Sequence, residues 1–177
     1  MKTYIYTNLH LPVVIIDKNK GRSSIQINAL KNILSSKPFN SLKSFADAYS
    51  VEYDRKEKKL KNFKLFIIMD TDDCSGKTKE DYISGKLFEN ICLKEYIVPI
   101  FNSPNLEEVM IKSGIMARKI PDSQKGSYYS KIFPINQDVF SSDTLDQIRL
   151  FSKKLENVKE TNLLEYVHYC LSLIDQV

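Results

Sequence analysis

Three aspartates follow a short apolar segment near the middle of this 177-residue chain. The apolar residues 65–69 lead directly into Asp70, and Asp72 and Asp73 follow closely. In an extended chain, residues two apart point to the same side, so Asp70 and Asp72 can face one ligand. Carboxylates this close repel each other, and a divalent cation relieves that repulsion. We therefore expect Asp70, Asp72 and Asp73 to bind Mg²⁺ or Mn²⁺, the metals that oxygen-only sites favour.

Further acidic residues follow two other apolar segments. Asp17 ends the β-branched segment "LPVVIID", and Glu107 and Glu108 come a few residues after "EYIVPIF". Ligands of an open parallel sheet bind beyond the carboxyl ends of its strands. If the three strands are neighbours, their acids meet at one edge, so Glu107 and Glu108 are predicted to join the metal site.

The segment from Asp70 to Thr78 has two other interpretations. "DTDDCSG" fits a polar turn whose carboxylates cap the next helix, and this alternative stays open on the sequence alone. The following "SGKT" has the ending of a phosphate-binding P-loop, but that loop requires glycine five positions before Gly76, where this chain has Thr71. A P-loop is therefore not expected.

Alternating strands and helices are predicted to position these acids. Strands are expected at residues 11–17, 65–69 and 95–101, and each is followed by a segment with apolar residues at helical spacing. Residues 44–53 fit either a helix or a short strand, and the charged stretch after them fits an exposed connection. This order predicts an α/β fold with a mostly parallel sheet flanked by helices.

The last third of the chain is predicted to be helical at its end. Residues 117–143 are polar and irregular, whereas residues 144–157 and 161–174 have the apolar spacing of amphipathic helices. We expect a single domain over 1–177, with an α/β core at about 11–115 and a helical C-terminal part at about 140–177.

Composition limits the possible functions only mildly. The chain has 26 basic and 22 acidic residues, a net charge of +4, which points mildly toward nucleic acid as a partner but also fits a plain solvated surface. No apolar run reaches the roughly 18 residues of a membrane helix, and no signal peptide is evident. The three scattered cysteines fit a reducing compartment. We expect a cytoplasmic protein without a membrane segment.

The order of these elements resembles the TOPRIM superfamily, and more closely the RloB-like and OLD-type TOPRIM nucleases of bacterial defence systems. The resemblance is carried by "FIIMDTDD" and, about 30 residues later, "YIVPIFNSPNLEEVM". In those families a hydrophobic strand ends in D-x-D and a later segment opens a helix. The likeness covers roughly residues 11–115.

The resemblance implies metal-assisted cleavage of phosphodiester bonds in DNA or RNA. Asp70 and Asp72 would hold Mg²⁺ or Mn²⁺ at the scissile phosphate, and Asp17 would orient or deprotonate the attacking water. Glu107, or Glu108 in its place, would add a further acid. The basic residues expected to contact the nucleic-acid backbone are Lys18, Lys20, Arg22 and Lys77. The resemblance also implies a role in antiviral defence, with an ATPase partner or as a homo-oligomer.

Two other functions remain compatible with the sequence. Asp17 followed by "KNKG" stands where the family has glutamate followed by glycine, which favours a TOPRIM-like binding or sensor subunit that has lost catalysis. A small nucleotide-sugar glycosyltransferase also places D-x-D after an apolar strand, where the acids hold Mn²⁺ and a diphosphate.

Overall fold

The computed structural model describes residues 27–72, 74, 76–121, 123–125 and 142–174. These residues form a mixed α/β structure with a small parallel sheet. The described residues up to Phe101 belong to one compact unit, the first unit, and those from Asn102 onward belong to the second unit. The predicted strand at 11–17 lies outside the described residues.

The first unit begins with two helices, α1 (Ile27–Leu34) and α2 (Leu42–Tyr49). The Ser41 side chain caps α2 by accepting a hydrogen bond from the Ser44 N–H at 3.1 Å. A left-handed residue, Ser50, ends the helix. The segment 44–53, which fits helix or strand by its sequence, therefore contains the end of a helix and the start of a strand.

A short antiparallel hairpin follows α2. Strands β1 (Tyr53–Asp54) and β2 (Lys59–Leu60) pair with Tyr53 opposite Leu60 and Asp54 opposite Lys59. The charged stretch that we predict as an exposed connection thus contains a hairpin. The sequence does not show the alternating apolar pattern of strands here, because most residues are charged and only Leu60 is buried in β2.

The parallel sheet of the first unit consists of β3 (Leu65–Asp70) and β4 (Ile97–Asn102) within the described residues. Both strands match the predicted segments. Helix α3 (Gly76–Ile83) lies between them in sequence, followed by 3₁₀ turns at Lys86–Phe88 and Lys94–Tyr96. Apolar residues at helical spacing continue after β3 as far as Ile91 and predict a longer helix, but α3 ends at Ile83, because Gly85 adopts φ +78° and interrupts the α-helical stretch.

Aromatic side chains fill the core of the first unit. Phe45 packs against Phe39, Tyr49 and Phe63, with ring centroids 5.5, 4.7 and 5.3 Å apart, and Phe63 lies 6.0 Å from Tyr96. Phe45 and Phe39 are almost fully buried. This cluster joins α2 to the residues just before β3 and just before β4. Its buried rings contribute to the apolar burial that stabilises the unit.

The second unit contains α4 (Leu106–Lys112), α5 (Ser142–Leu155) and α6 (Leu163–Ile174). The two C-terminal helices agree with the predicted segments to within about two residues. They pack through Ile148, Phe151 and Leu155 of α5 and Leu163 and Val167 of α6, all of which are buried. In the part of the chain that the structure describes, each helix is too short or too polar to cross a lipid bilayer.

Candidate active site

The carboxyl end of β3 presents two of the predicted acids. Asp70 is the last residue of the strand and is half-buried, Thr71 is only 3% exposed, and Asp72 is exposed. This alternation of burial agrees with the expected geometry, in which Thr71 points inward while the acids on either side remain accessible. Asp70 therefore ends a strand of the parallel sheet, and Asp72 follows two residues later.

The connection from β3 into α3 depends on a glycine. Gly76, the first residue of α3, has φ +55°, a left-handed conformation that side-chain-bearing residues adopt at a cost. Lys77 follows in the first turn of α3 and is exposed. The structure thus places one of the predicted phosphate-binding lysines shortly after Asp72 in the chain, with its ammonium group open to solvent.

A buried tyrosine attaches α3 to both strands of the sheet. The Tyr82 hydroxyl lies 2.7 Å from the carbonyl oxygen of Ile67 in β3 and 2.9 Å from that of Ile100 in β4, and its single proton is shared between these two acceptors. Burial, together with the negative charge of Asp70, raises the pKa of the Tyr82 hydroxyl above its usual value, so this donor stays protonated. Tyr82 therefore holds α3 in a defined position behind the end of β3.

The sequence does not single out Tyr82. A tyrosine among apolar helix positions fits an ordinary core aromatic, and Phe88 does pack edge-on against its ring at 5.9 Å. The hydroxyl needs a partner in the core, which is the only signal that could have indicated its role. Which carbonyl groups it meets depends on how α3 packs on the sheet.

The two predicted glutamates lie in the second unit, in the first turn of α4. Asn105 caps this helix by accepting the Glu108 N–H at 3.1 Å. Glu107 accepts the backbone N–H of Ile120 at 2.9 Å and pairs with Lys125 Nζ at 3.2 Å. Glu108 pairs with Lys119 Nζ at 2.6 Å. Both carboxylates are therefore occupied by cationic groups of their own unit.

These contacts shift the ionisation of the groups involved. The hydrogen bond from Ile120, with the positive charge of Lys125, lowers the pKa of Glu107 below its usual value. The hydrogen bond to Glu108 raises the pKa of Lys119. The lowered pKa keeps Glu107 ionised, and the lysine partners of Glu107 and Glu108 already neutralise both carboxylates. A metal ion binding there would have to displace those lysines.

The segment around the end of β4 is also built from polar contacts within the second unit. Asn102 is 1% exposed, and its side-chain oxygen accepts the Thr161 hydroxyl at 3.0 Å. The same hydroxyl oxygen accepts the N–H of Leu163, the first residue of α6, at 3.0 Å. This pair is not among the contacts expected from the sequence, although threonine shortly before a helix is a recognisable capping signal.

The remaining predicted site residues lie outside the described part of the chain. They are Asp17, Asp73, Lys18, Lys20 and Arg22. Among the residues that the structure does describe, no three Asp, Glu, His or Cys side chains form a group that could hold a metal ion. Two carboxylates are nevertheless enough for Mg²⁺, which commonly takes one or two protein carboxylates and completes its shell with water and substrate phosphate.

Comparison of the chain with protein-family models, curated proteins and solved structures found no match. The interpretation of the site therefore depends on the chain's own residues. Within the described structure, the end of β3 carries two of the predicted acids, Asp70 and Asp72, and the exposed Lys77 follows them in the first turn of α3.

Proposed function

We propose that this protein is a metal-dependent nuclease of TOPRIM type, cleaving phosphodiester bonds of DNA or RNA as part of an anti-phage defence system. The observation that carries the proposal is the position of Asp70, at the carboxyl end of a strand that pairs in parallel with β4, with Asp72 two residues later. This is the end at which α/β sheets bind their ligands.

The site residues have distinct roles in this proposal. Asp70 and Asp72 hold Mg²⁺ or Mn²⁺, with Asp73 as a further ligand. When bound, the metal polarises the scissile phosphate and stabilises the charge that develops on the leaving oxygen. The exposed Lys77 supplies a positive charge to a neighbouring phosphate. Asp17 orients or deprotonates the attacking water.

Cleavage assays with single-charge variants test the proposal. The protein is incubated with supercoiled plasmid or with RNA, in Mg²⁺ or Mn²⁺. We expect the wild type to cleave, and Asp70→Asn and Asp72→Asn to lose at least about a hundredfold in rate, because each removes a metal ligand. Asp47→Asn, an exposed position on α2 with the same charge change, is the matched control and should cleave like the wild type.

The failing outcomes are equally specific. If the wild type cleaves neither substrate with either metal, and calorimetry detects no uptake of Mn²⁺, the nuclease proposal is wrong. If Asp47→Asn loses as much activity as Asp70→Asn, the loss reflects net charge rather than a site at the end of β3.

A binding or sensor subunit without catalysis is the second candidate. It is favoured by the lysine partners of Glu107 and Glu108, which occupy carboxylates that an active site would need. This candidate predicts nucleic-acid binding that needs no metal and survives Asp70→Asn. Light scattering on the purified chain, alone and with a candidate ATPase, tests whether either function involves a homo-oligomer or such a partner.

A further inference from the structure

The turn of the hairpin in the first unit is strongly basic. Residues 55–59, here named the basic tip, contain four cationic residues and one acidic residue, a net charge of +3 within a chain whose total is +4. All five side chains are exposed. The cationic residues are Arg55, Lys56, Lys58 and Lys59.

The fold holds this turn in a defined conformation. The Asp54 side chain accepts the backbone N–H groups of Lys56 and Glu57 at 2.8 and 3.0 Å, and Lys58 takes a left-handed conformation with φ +55°. At its base, Leu60 is 6% exposed and its N–H donates to the Tyr96 hydroxyl at 2.9 Å. The basic tip is therefore anchored in the aromatic core.

Most of the neighbouring negative charge is already neutralised. Asp54 lies 3.2 Å from the Lys61 ammonium, and Glu57 lies 3.9 Å from that of Lys59. Among the described residues, Arg55, Lys56 and Lys58 have no carboxylate within ion-pair distance. These three cations are thus exposed on a turn whose neighbouring acids, Asp54 and Glu57, pair with other lysines.

The composition of the basic tip narrows the choice of partner. It has no aromatic ring on which an unpaired base could stack, and no asparagine or glutamine that could read a base edge. It also lacks an apolar residue that could enter a membrane interface. A cationic surface of this kind fits the regularly spaced phosphates of a duplex.

We propose that the basic tip binds the phosphate backbone of double-stranded DNA without regard to sequence. The choice of DNA as the polyanion rests on the proposed nuclease function, in which the tip would hold the duplex while Asp70 and Asp72 act on it. None of the residues predicted from the sequence to bind nucleic acid belongs to this surface.

Binding without metal tests this inference. Anisotropy of a labelled mixed-sequence duplex is measured in EDTA over a range of salt concentrations. The tip variant combines Arg55→Gln, Lys56→Gln and Lys58→Gln. The control variant combines Lys37→Gln, Lys43→Gln and Lys86→Gln, exposed lysines of the same unit with the same total charge change. A third variant, with Arg55→Lys, Lys56→Arg and Lys58→Arg, keeps the charge.

We expect the tip variant to bind about tenfold more weakly or worse, and its salt dependence to fall by about three phosphate contacts. The control variant should lose less than about threefold, and the charge-keeping variant should bind like the wild type. If the tip variant unfolds at a lower temperature than the wild type, the three single Gln variants replace it, each with an expected loss of about twofold.

Several outcomes would overturn the inference. One is that the tip and control variants lose equal affinity for the duplex. Another is that the tip variant loses none. A third is that the tip variant loses affinity only for phosphatidylserine vesicles or for an acidic protein. Because the assay contains EDTA, its result is independent of cleavage. DNA binding that depends on the tip, in a protein that does not cleave, supports the inference and contradicts the nuclease. Cleavage that the tip variant retains in full contradicts the inference and supports the nuclease.

Discussion

Two acidic regions, each shortly after a strand, differ in what surrounds them. Glu107 and Glu108 are held by a backbone N–H and by two lysines of the second unit. Asp70 and Asp72 lie at the end of β3 in the first unit, where Asp70 is half-buried and Asp72 is exposed, and the helix after them begins with Gly76 and the exposed Lys77. The glutamates show that an acid shortly after a strand can be taken up by lysines of its own unit, so its position after a strand does not by itself make it a metal ligand.

The largest expected effect concerns metal uptake at the end of β3. Calorimetric titration with Mn²⁺ should show binding to the wild type and none to the double variant Asp70→Asn, Asp72→Asn, because two ligands are removed. The double variant Glu107→Gln, Glu108→Gln should lose less affinity, since lysines already neutralise those carboxylates. If the glutamate variant loses more Mn²⁺ affinity than the aspartate variant, the comparison between the two acidic regions is reversed.

The next largest effect concerns Tyr82, which attaches α3 to β3 and β4. Tyr82→Phe leaves the carbonyl groups of Ile67 and Ile100 without their buried donor, and we expect it to lower the free energy of unfolding by about 1–3 kcal/mol. Tyr49→Phe, a half-buried tyrosine of the same unit, is the control and should change it by less than about 0.5 kcal/mol. Urea unfolding measures both, and equal values would show that the Tyr82 hydroxyl contributes nothing particular.

A smaller effect is expected at Glu107. Glu107→Ala removes the acceptor for the Ile120 N–H as well as the pair with Lys125, so it should lower the free energy of unfolding by about 1 kcal/mol. Glu107→Gln keeps an oxygen that can accept the N–H and should cost less. If both variants are as stable as the wild type in urea, the second unit does not depend on this carboxylate and the contrast with Asp70 weakens.

The smallest expected effect is a pH dependence at the hairpin. Hydrogen bonds from the Glu57 and Lys56 N–H groups, with Lys61 beside them, lower the pKa of Asp54 below its usual 3.8. Its stabilising contribution is therefore complete above that value and is lost as the pH falls through the lower, folded pKa. Asp54→Ala should have a slightly lower Tm than the wild type at neutral pH, and the two should converge in acid. A difference that persists in acid would show that ionisation of Asp54 is not its source.

Much of the local structure follows from hydrophobic spacing. The runs before Asp70 and before Asn102 form the predicted strands, and the two C-terminal segments form the predicted helices. The hairpin was not predicted, because its strands are two residues long and mostly charged. The helix that begins at Gly76 is shorter than the spacing of its apolar residues indicates, because Gly85 adopts a left-handed conformation and the helix ends before it.

By itself, the sequence determined that Asp70 and Asp72 follow a strand, since an apolar run ending in acid is a local pattern that needs no knowledge of the rest of the chain. Only the tertiary structure decided that Lys119 and Lys125 neutralise Glu108 and Glu107, and that Tyr82 meets the carbonyl groups of Ile67 and Ile100. Such contacts join residues many positions apart, and they depend on the path of loops and the packing of helices, which residue spacing does not encode.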